Sequence, residues 1–275
     1  FFFVTTYDFD PSDTACCNVS HHDLMYQDKD DEEKKQYKIV FISFEGTAGN
    51  AEWASDFDVG MNDSIYYEKV KPEGGEGTAA DHPDWLVSNK DYLHTKGVCV
   101  AMNRIIKKLE GDSNNKGWFE NAGIDLKNDN LIFFICGHSR GGAIANLLTA
   151  HYLDLRGNEN YAGIKKLFGY CYATPFTTFD EEANNEKYNA IHCIINDDDF
   201  VGKVPFESWG LYKYGQMHYS YISQNHKTQW EKNWSDVDDG NPHTYYHFDK
   251  FMENIETFIL LAKYLFSITL KISLR

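Results

Sequence analysis

Residues 131 to 136 read Leu-Ile-Phe-Phe-Ile-Cys, an unbroken apolar run, and Gly137-His138-Ser139-Arg140-Gly141-Gly142 follows at once, opening a helix-patterned stretch from Ala143 to Tyr152. A buried strand, a G-x-S-x-G turn and a helix in that order describe a nucleophile elbow, the sharp turn that lifts a serine hydroxyl clear of a sheet. Glycines at Gly137 and Gly141 let neighbouring backbone pass without a Cβ collision. With Ser139 at a helix N-terminus, unpaired amides and the positive end of the helix dipole lie where an oxyanion would form during acyl transfer.

The rest of the chain supplies a frame for that elbow. Apolar strand-like runs at Ile39 to Phe44, Leu131 to Cys136, Leu167 to Tyr172 and Ile191 to Ile195 alternate with helical patterns, which predicts an α/β fold with a parallel sheet. One helix is expected over Val98 to Leu109, with Val98, Met102, Ile105, Ile106 and Leu109 on one face and Gly111 as its stop. A terminal amphipathic helix is expected from the spacing of Phe248, Phe251, Met252, Ile255, Phe258 and Ile259. Lys71 to Asp84, rich in glycine and acid, reads as a surface loop. Residues 1–36 read as an N-terminal extension lying before a single domain of residues 37–275, since 275 residues with 42% hydrophobic content suit one large core.

Charge and cysteine usage exclude several functions. A net charge of −16 repels nucleic acid and anionic membrane surfaces, so no nucleic-acid partner is expected. No stretch reaches the roughly 20 apolar residues of a membrane span. The chain begins with Phe1, which suits a processed secreted protein, with a cytoplasmic one as the alternative. Cys99, Cys136, Cys171 and Cys193 fall in apolar patterns and are expected as free buried thiols, while the adjacent Cys16 and Cys17 sit in a polar segment. The cysteines show no Cys-x-x-Cys spacing, and neither a metal nor a cofactor is expected.

A serine hydroxyl needs a histidine to take its proton and a carboxylate to orient that histidine. Chain order in α/β-hydrolases is serine, acid, histidine. Asp197, Asp198 and Asp199 follow the strand Ile191 to Ile195, at the sheet edge where such sites form, and position alone does not separate them. Of the later histidines, His218 lies in the alternating run Met217 to Ile222 and reads as sheet surface, whereas His243 follows Asn241-Pro242 in a loop, with His247 four residues on.

Over roughly Lys38 to Phe266 the chain resembles the class 3 lipases, the fungal-type triacylglycerol lipase branch of the α/β-hydrolases. Four landmarks carry the resemblance: Phe41-Ile-Ser-Phe-Glu-Gly-Thr47 followed by Glu52-Trp53-Ala-Ser-Asp56, the elbow Gly137 to Gly142, the Asp199, Val201, Pro205 spacing, and His243 three residues before Tyr246. It implies a mostly parallel sheet with helices on both faces and a triad of Ser139, Asp199 and His243. It implies an oxyanion hole from the N–H of Arg140 and the N–H and hydroxyl of Thr47, and a lid-like helix at about 48–57 with Trp53, for which core packing is the alternative. Glu45 and Arg140 depart from the family's usual arginine and leucine, and a swapped ion pair between them is one reading. The activity implied is hydrolysis of acylglycerols or other lipid esters at neutral lipid surfaces. A soluble carboxylesterase, a feruloyl or acetyl esterase, and a non-catalytic binding protein on the same fold are the alternatives.

Overall fold

The computed structural model describes residues 2–5, 14–27, 33–47, 52, 56, 94–196, 199–205 and 210–220, the first group by its backbone. They form a seven-stranded sheet in chain order: β1 (Phe2–Thr5), β2 (Thr14–Tyr26), β3 (Lys35–Phe44), β4 (Leu131–His138), β5 (Ile164–Tyr172), β6 (Ile191–Asn196) and β7 (Gln216–Ser220). From β3 to β7 every pairing is parallel, and β1 and β2 add an antiparallel edge. Among the described elements, three α-helices accompany the sheet: α1 (Lys96–Glu110), α2 (Trp118–Asn121) and α3 (Arg140–Leu155). This is the expected α/β architecture. Among the described residues no helix is long and apolar enough to cross a membrane.

Within residues 1–36, read from the sequence as an extension, the described Phe2–Thr5 and Thr14–Tyr26 are strands of the sheet. Residues 14–26 run antiparallel to β3 with Cys17 opposite Phe44 and Tyr26 opposite Lys35. Ala15 and Cys17 are buried while most residues from Asn18 onward are exposed or half-buried. A strand whose far half lies on the surface needs few apolar side chains, so its composition resembles that of a loop.

The core lies between the sheet and the layer of α1 and α3. Alternate residues of the strands point into it: Val40, Ile42 and Phe44 of β3, Leu131, Phe133 and Ile135 of β4, Leu167 and Cys171 of β5, Ile191, Cys193 and Ile195 of β6. Phe133 is fully buried, stacked on Phe119 at 5.7 Å and meeting Tyr152 edge-on at 5.4 Å. Each such side chain stabilises the fold by about 1.5–3 kcal/mol. The amphipathic face predicted for α1 is the one buried, and Gly111 at φ 87° ends the helix with its N–H on the Lys107 carbonyl. On the opposite face Phe41, Phe134 and Phe168 stack across β3, β4 and β5 at 5.4 and 5.1 Å.

Helix α3 is buried from Arg140 to Tyr152. One polar residue inside it fastens it to the sheet: Asn146 donates to the Tyr214 carbonyl at 2.8 Å and to Cys193 Sγ at 3.3 Å, and accepts from the Tyr214 N–H at 3.0 Å and the Thr177 hydroxyl at 3.3 Å. A buried amide with its donors and acceptor all engaged fixes where the helix sits. The helix in turn fixes the direction in which its first residue points.

Candidate active site

Ser139 stands between β4 and α3 at φ 57° and ψ −126°, a left-handed conformation that a non-glycine residue adopts only when its surroundings force it. Those surroundings are backbone. A Cβ on Gly137 would lie 2.1 Å from the Gly141 carbonyl oxygen, and one on Gly141 would lie 2.4 Å from the carbonyl oxygen of Glu45. Strand β4, the start of α3 and the end of β3 therefore meet with no room for side chains. The turn is held by Ser139 N–H donating to the Tyr172 carbonyl at 2.9 Å and by Ala143 N–H donating to the Ser139 carbonyl at 3.0 Å. His138 is exposed at the end of β4, and Ser139 is 6% exposed.

The turn after β3 lies directly against the elbow. A Cβ on Gly46 would come within 3.4 Å of Ser139 Cβ and 3.1 Å of the His138 carbonyl oxygen. Thr47, the next residue, donates its hydroxyl to Asp56 Oδ2 at 2.5 Å. That hydroxyl has one hydrogen, and in this geometry it is committed to Asp56.

Arg140 differs from the expectation. Its guanidinium Nε lies 3.3 Å from Asp56 Oδ1, a charge contact without the alignment of a hydrogen bond. The swapped pair with Glu45 is replaced by a pair with Asp56 because the Arg140 side chain is buried, whereas Glu45 is exposed and lies beside the Cys16 thiol. Of the segment 48–57, Glu52 and Asp56 are described, and both are tethered: Thr14 donates to Glu52 Oε1 at 3.0 Å, and Asp56 meets Thr47 and Arg140. Sequence reading assigns no role to Asp56, although its position nine residues after Thr47 within a helix-like segment was visible.

Asp199 is 3% exposed and follows β6 at the same sheet edge as Ser139. Its N–H donates to the Asn196 carbonyl at 2.9 Å and its Oδ1 accepts the Val201 N–H at 2.9 Å, an Asx turn that fixes the carboxylate. Buried Lys213 steadies the same turn by donating to the Gly202 carbonyl at 2.5 Å, its ammonium 3.9 Å from the centre of the Phe176 ring. Trp53, Asp197, Asp198, His226, His243, His247, the loop 71–84 and the terminal amphipathic pattern lie outside the described residues. His218 is exposed on β7 as expected, its Nε2 3.0 Å from Nδ1 of His192.

Cysteine chemistry is disfavoured at this edge. Burial pushes the Cys136 and Cys171 thiols up, and burial with the neighbouring Glu45 carboxylate does so for Cys16, the opposite of what a nucleophilic thiolate requires. None of the six cysteines is in a disulfide. Among the described residues no group of three or more His, Cys, Asp or Glu side chains is placed to hold a metal ion.

A mostly parallel sheet whose β4 ends in a strained serine opening a buried helix is the architecture of the α/β-hydrolases. The chain belongs to the class 3 lipase family: the model of that family, lipase (class 3), matches residues 41–209. Among solved structures, the chain is similar to the Rhizomucor miehei lipase in its propeptide complex, with 20% identity, 68% of this chain and 50% of that one covered, and a TM-score of 0.41. It is similar to the lipase of Rhizopus microsporus var. chinensis, with 18% identity, coverage of 66% and 52%, and a TM-score of 0.42. It is also similar to a triacylglycerol lipase whose catalytic centre is described as a serine protease triad, with 16% identity, coverage of 76% and 71%, and a TM-score of 0.44. The chain spans about half the length of the Rhizomucor and Rhizopus lipases. No curated protein matches it significantly.

Proposed function

We propose that this protein hydrolyses carboxylic esters through an acyl-enzyme on Ser139, with acylglycerols as the substrate class. His243 removes the Ser139 proton as Oγ attacks the ester carbonyl, and Asp199 holds His243 in the required tautomer and stabilises the imidazolium. The oxyanion is met by the backbone N–H groups of Arg140 and Thr47. Collapse releases the alcohol with the proton from His243; water, deprotonated by the same histidine, then releases the acid. The observation that carries this reading is the elbow itself: Ser139 held at positive φ by backbone contacts at the N-terminus of a buried helix. Such strain persists where function uses it.

The test is hydrolysis of p-nitrophenyl esters from acetate to palmitate, with and without detergent micelles, beside labelling by a fluorophosphonate probe, for the wild type, Ser139→Ala, Asp199→Asn and His243→Ala. Labelling and turnover that vanish in Ser139→Ala and fall at least about 10³-fold in His243→Ala support the triad. Long-chain activity that rises at micelles supports a lipase, and short-chain activity indifferent to micelles replaces it with a soluble carboxylesterase. A wild type that neither labels nor turns over any ester overturns the reading in favour of a binding protein.

A further inference from the structure

Arg140 breaks a local rule. It is a cation in the first turn of α3, at the positive end of the helix dipole, and its side chain is 2% exposed. Arginine cannot shed its proton in a protein, so a guanidinium taken out of water needs a carboxylate close by. Asp56, its side chain 16% exposed, supplies one at 3.3 Å. The same carboxylate uses its other oxygen to accept the Thr47 hydroxyl at 2.5 Å. One side chain thus links the residue that ends the β3 turn to the residue that follows the nucleophile, the two whose amides are assigned to the oxyanion. A residue kept against local electrostatics, at a site already strained, is the kind of departure that function explains.

We propose that the side chain of Arg140 is a positioning residue for ester hydrolysis: its charge holds Asp56 in place, and Asp56 holds Thr47 against the elbow so that both oxyanion amides keep one spacing. This rests on the serine-hydrolase reading above. The Gly141 contact with the Glu45 carbonyl oxygen sets the backbone separation on one side of the crevice, and the Arg140–Asp56–Thr47 bridge sets it on the other. With leucine at 140, the contact of the guanidinium with Asp56 is lost.

The experiment measures kcat and KM on p-nitrophenyl butyrate, with fluorophosphonate labelling rate and a circular dichroism melt, for the wild type, Arg140→Leu, Arg140→Lys, Asp56→Asn and the double variant Arg140→Leu/Asp56→Asn. Arg140→Leu should lower kcat about 10- to 100-fold with KM within about three-fold, because an ångström-scale shift of a donor costs that much. Arg140→Lys should regain most of the loss. The double variant should be no slower than Asp56→Asn alone, since both changes break one bridge. Should Arg140→Leu fail to fold, the double variant removes both charges of the pair and serves for the comparison, with Arg140→Lys testing the charge. Arg140→Leu within two-fold of wild-type kcat, Arg140→Lys as slow as Asp56→Asn, or multiplying losses in the double variant overturns the inference. A wild type inert to every ester and to the probe is instead the failure of the serine-hydrolase reading.

Discussion

Gly141→Ala separates helix propensity from packing at the elbow. Position 141 is the second residue of α3, where alanine outranks glycine by about 0.8–1.0 kcal/mol in a helix interior, so propensity alone predicts a more stable protein. The structure predicts the reverse. The added Cβ would sit 2.4 Å from the Glu45 carbonyl oxygen and 2.5 Å from that of Phe44, where ordinary contact begins at 3.4 Å. Both obstacles are backbone, so the start of α3 and the end of β3 must part by about 1 Å, at an overpacking cost of about 1–3 kcal/mol. That should lower the melting temperature by several degrees in a chain of this size. It should also spread the Thr47 and Arg140 amides, lowering kcat/KM about 100-fold. A differential-scanning melt and p-nitrophenyl butyrate kinetics on purified variant and wild type measure both. An unchanged or higher melting temperature with kcat/KM within three-fold of wild type would refute the close contact and the oxyanion geometry built on it.

Two further outcomes follow from the buried polar groups. Asn146→Leu should lower stability in urea by about 2–4 kcal/mol, since it strips hydrogen bonds from the Tyr214 N–H and carbonyl inside the core; an unchanged midpoint would count against the anchor. His151 is buried, and burial followed by the charge of nearby His94 pushes its imidazole down to about 3. In the unfolded chain the same group titrates near 6.5, so it binds more protons when unfolded. Its stability contribution is complete above about pH 6.5 and is lost as pH falls toward 3. Urea midpoints from pH 7 to 4 should fall, and His151→Gln should flatten that fall.

How much of this was legible in the sequence depended on whether one periodicity ruled a segment. The runs at β3, β4, β5 and β6 and the faces of α1 and α3 declared themselves because the core is one continuous layer and most of its buried positions are apolar. Strand β2 did not, because its outer half faces water and its register comes from pairing with β3. At the site, Ser139 was legible because an elbow is a local object: strand, glycines and helix are contiguous. Asp199 was singled out by resemblance rather than by its own neighbourhood, and the structure shows it buried at the end of β6, its carboxylate fixed by the Val201 N–H.

The sequence by itself determined that a strand runs into a strained serine and a helix, because sterics and periodicity act between neighbours along the chain. Which carboxylate answers Arg140 was decided only by the tertiary structure. Asp56 and Arg140 are 84 positions apart, and Glu45 was an equally charged candidate. Burial of the guanidinium made the choice, since a charge removed from water pairs with whatever acid the fold brings to it.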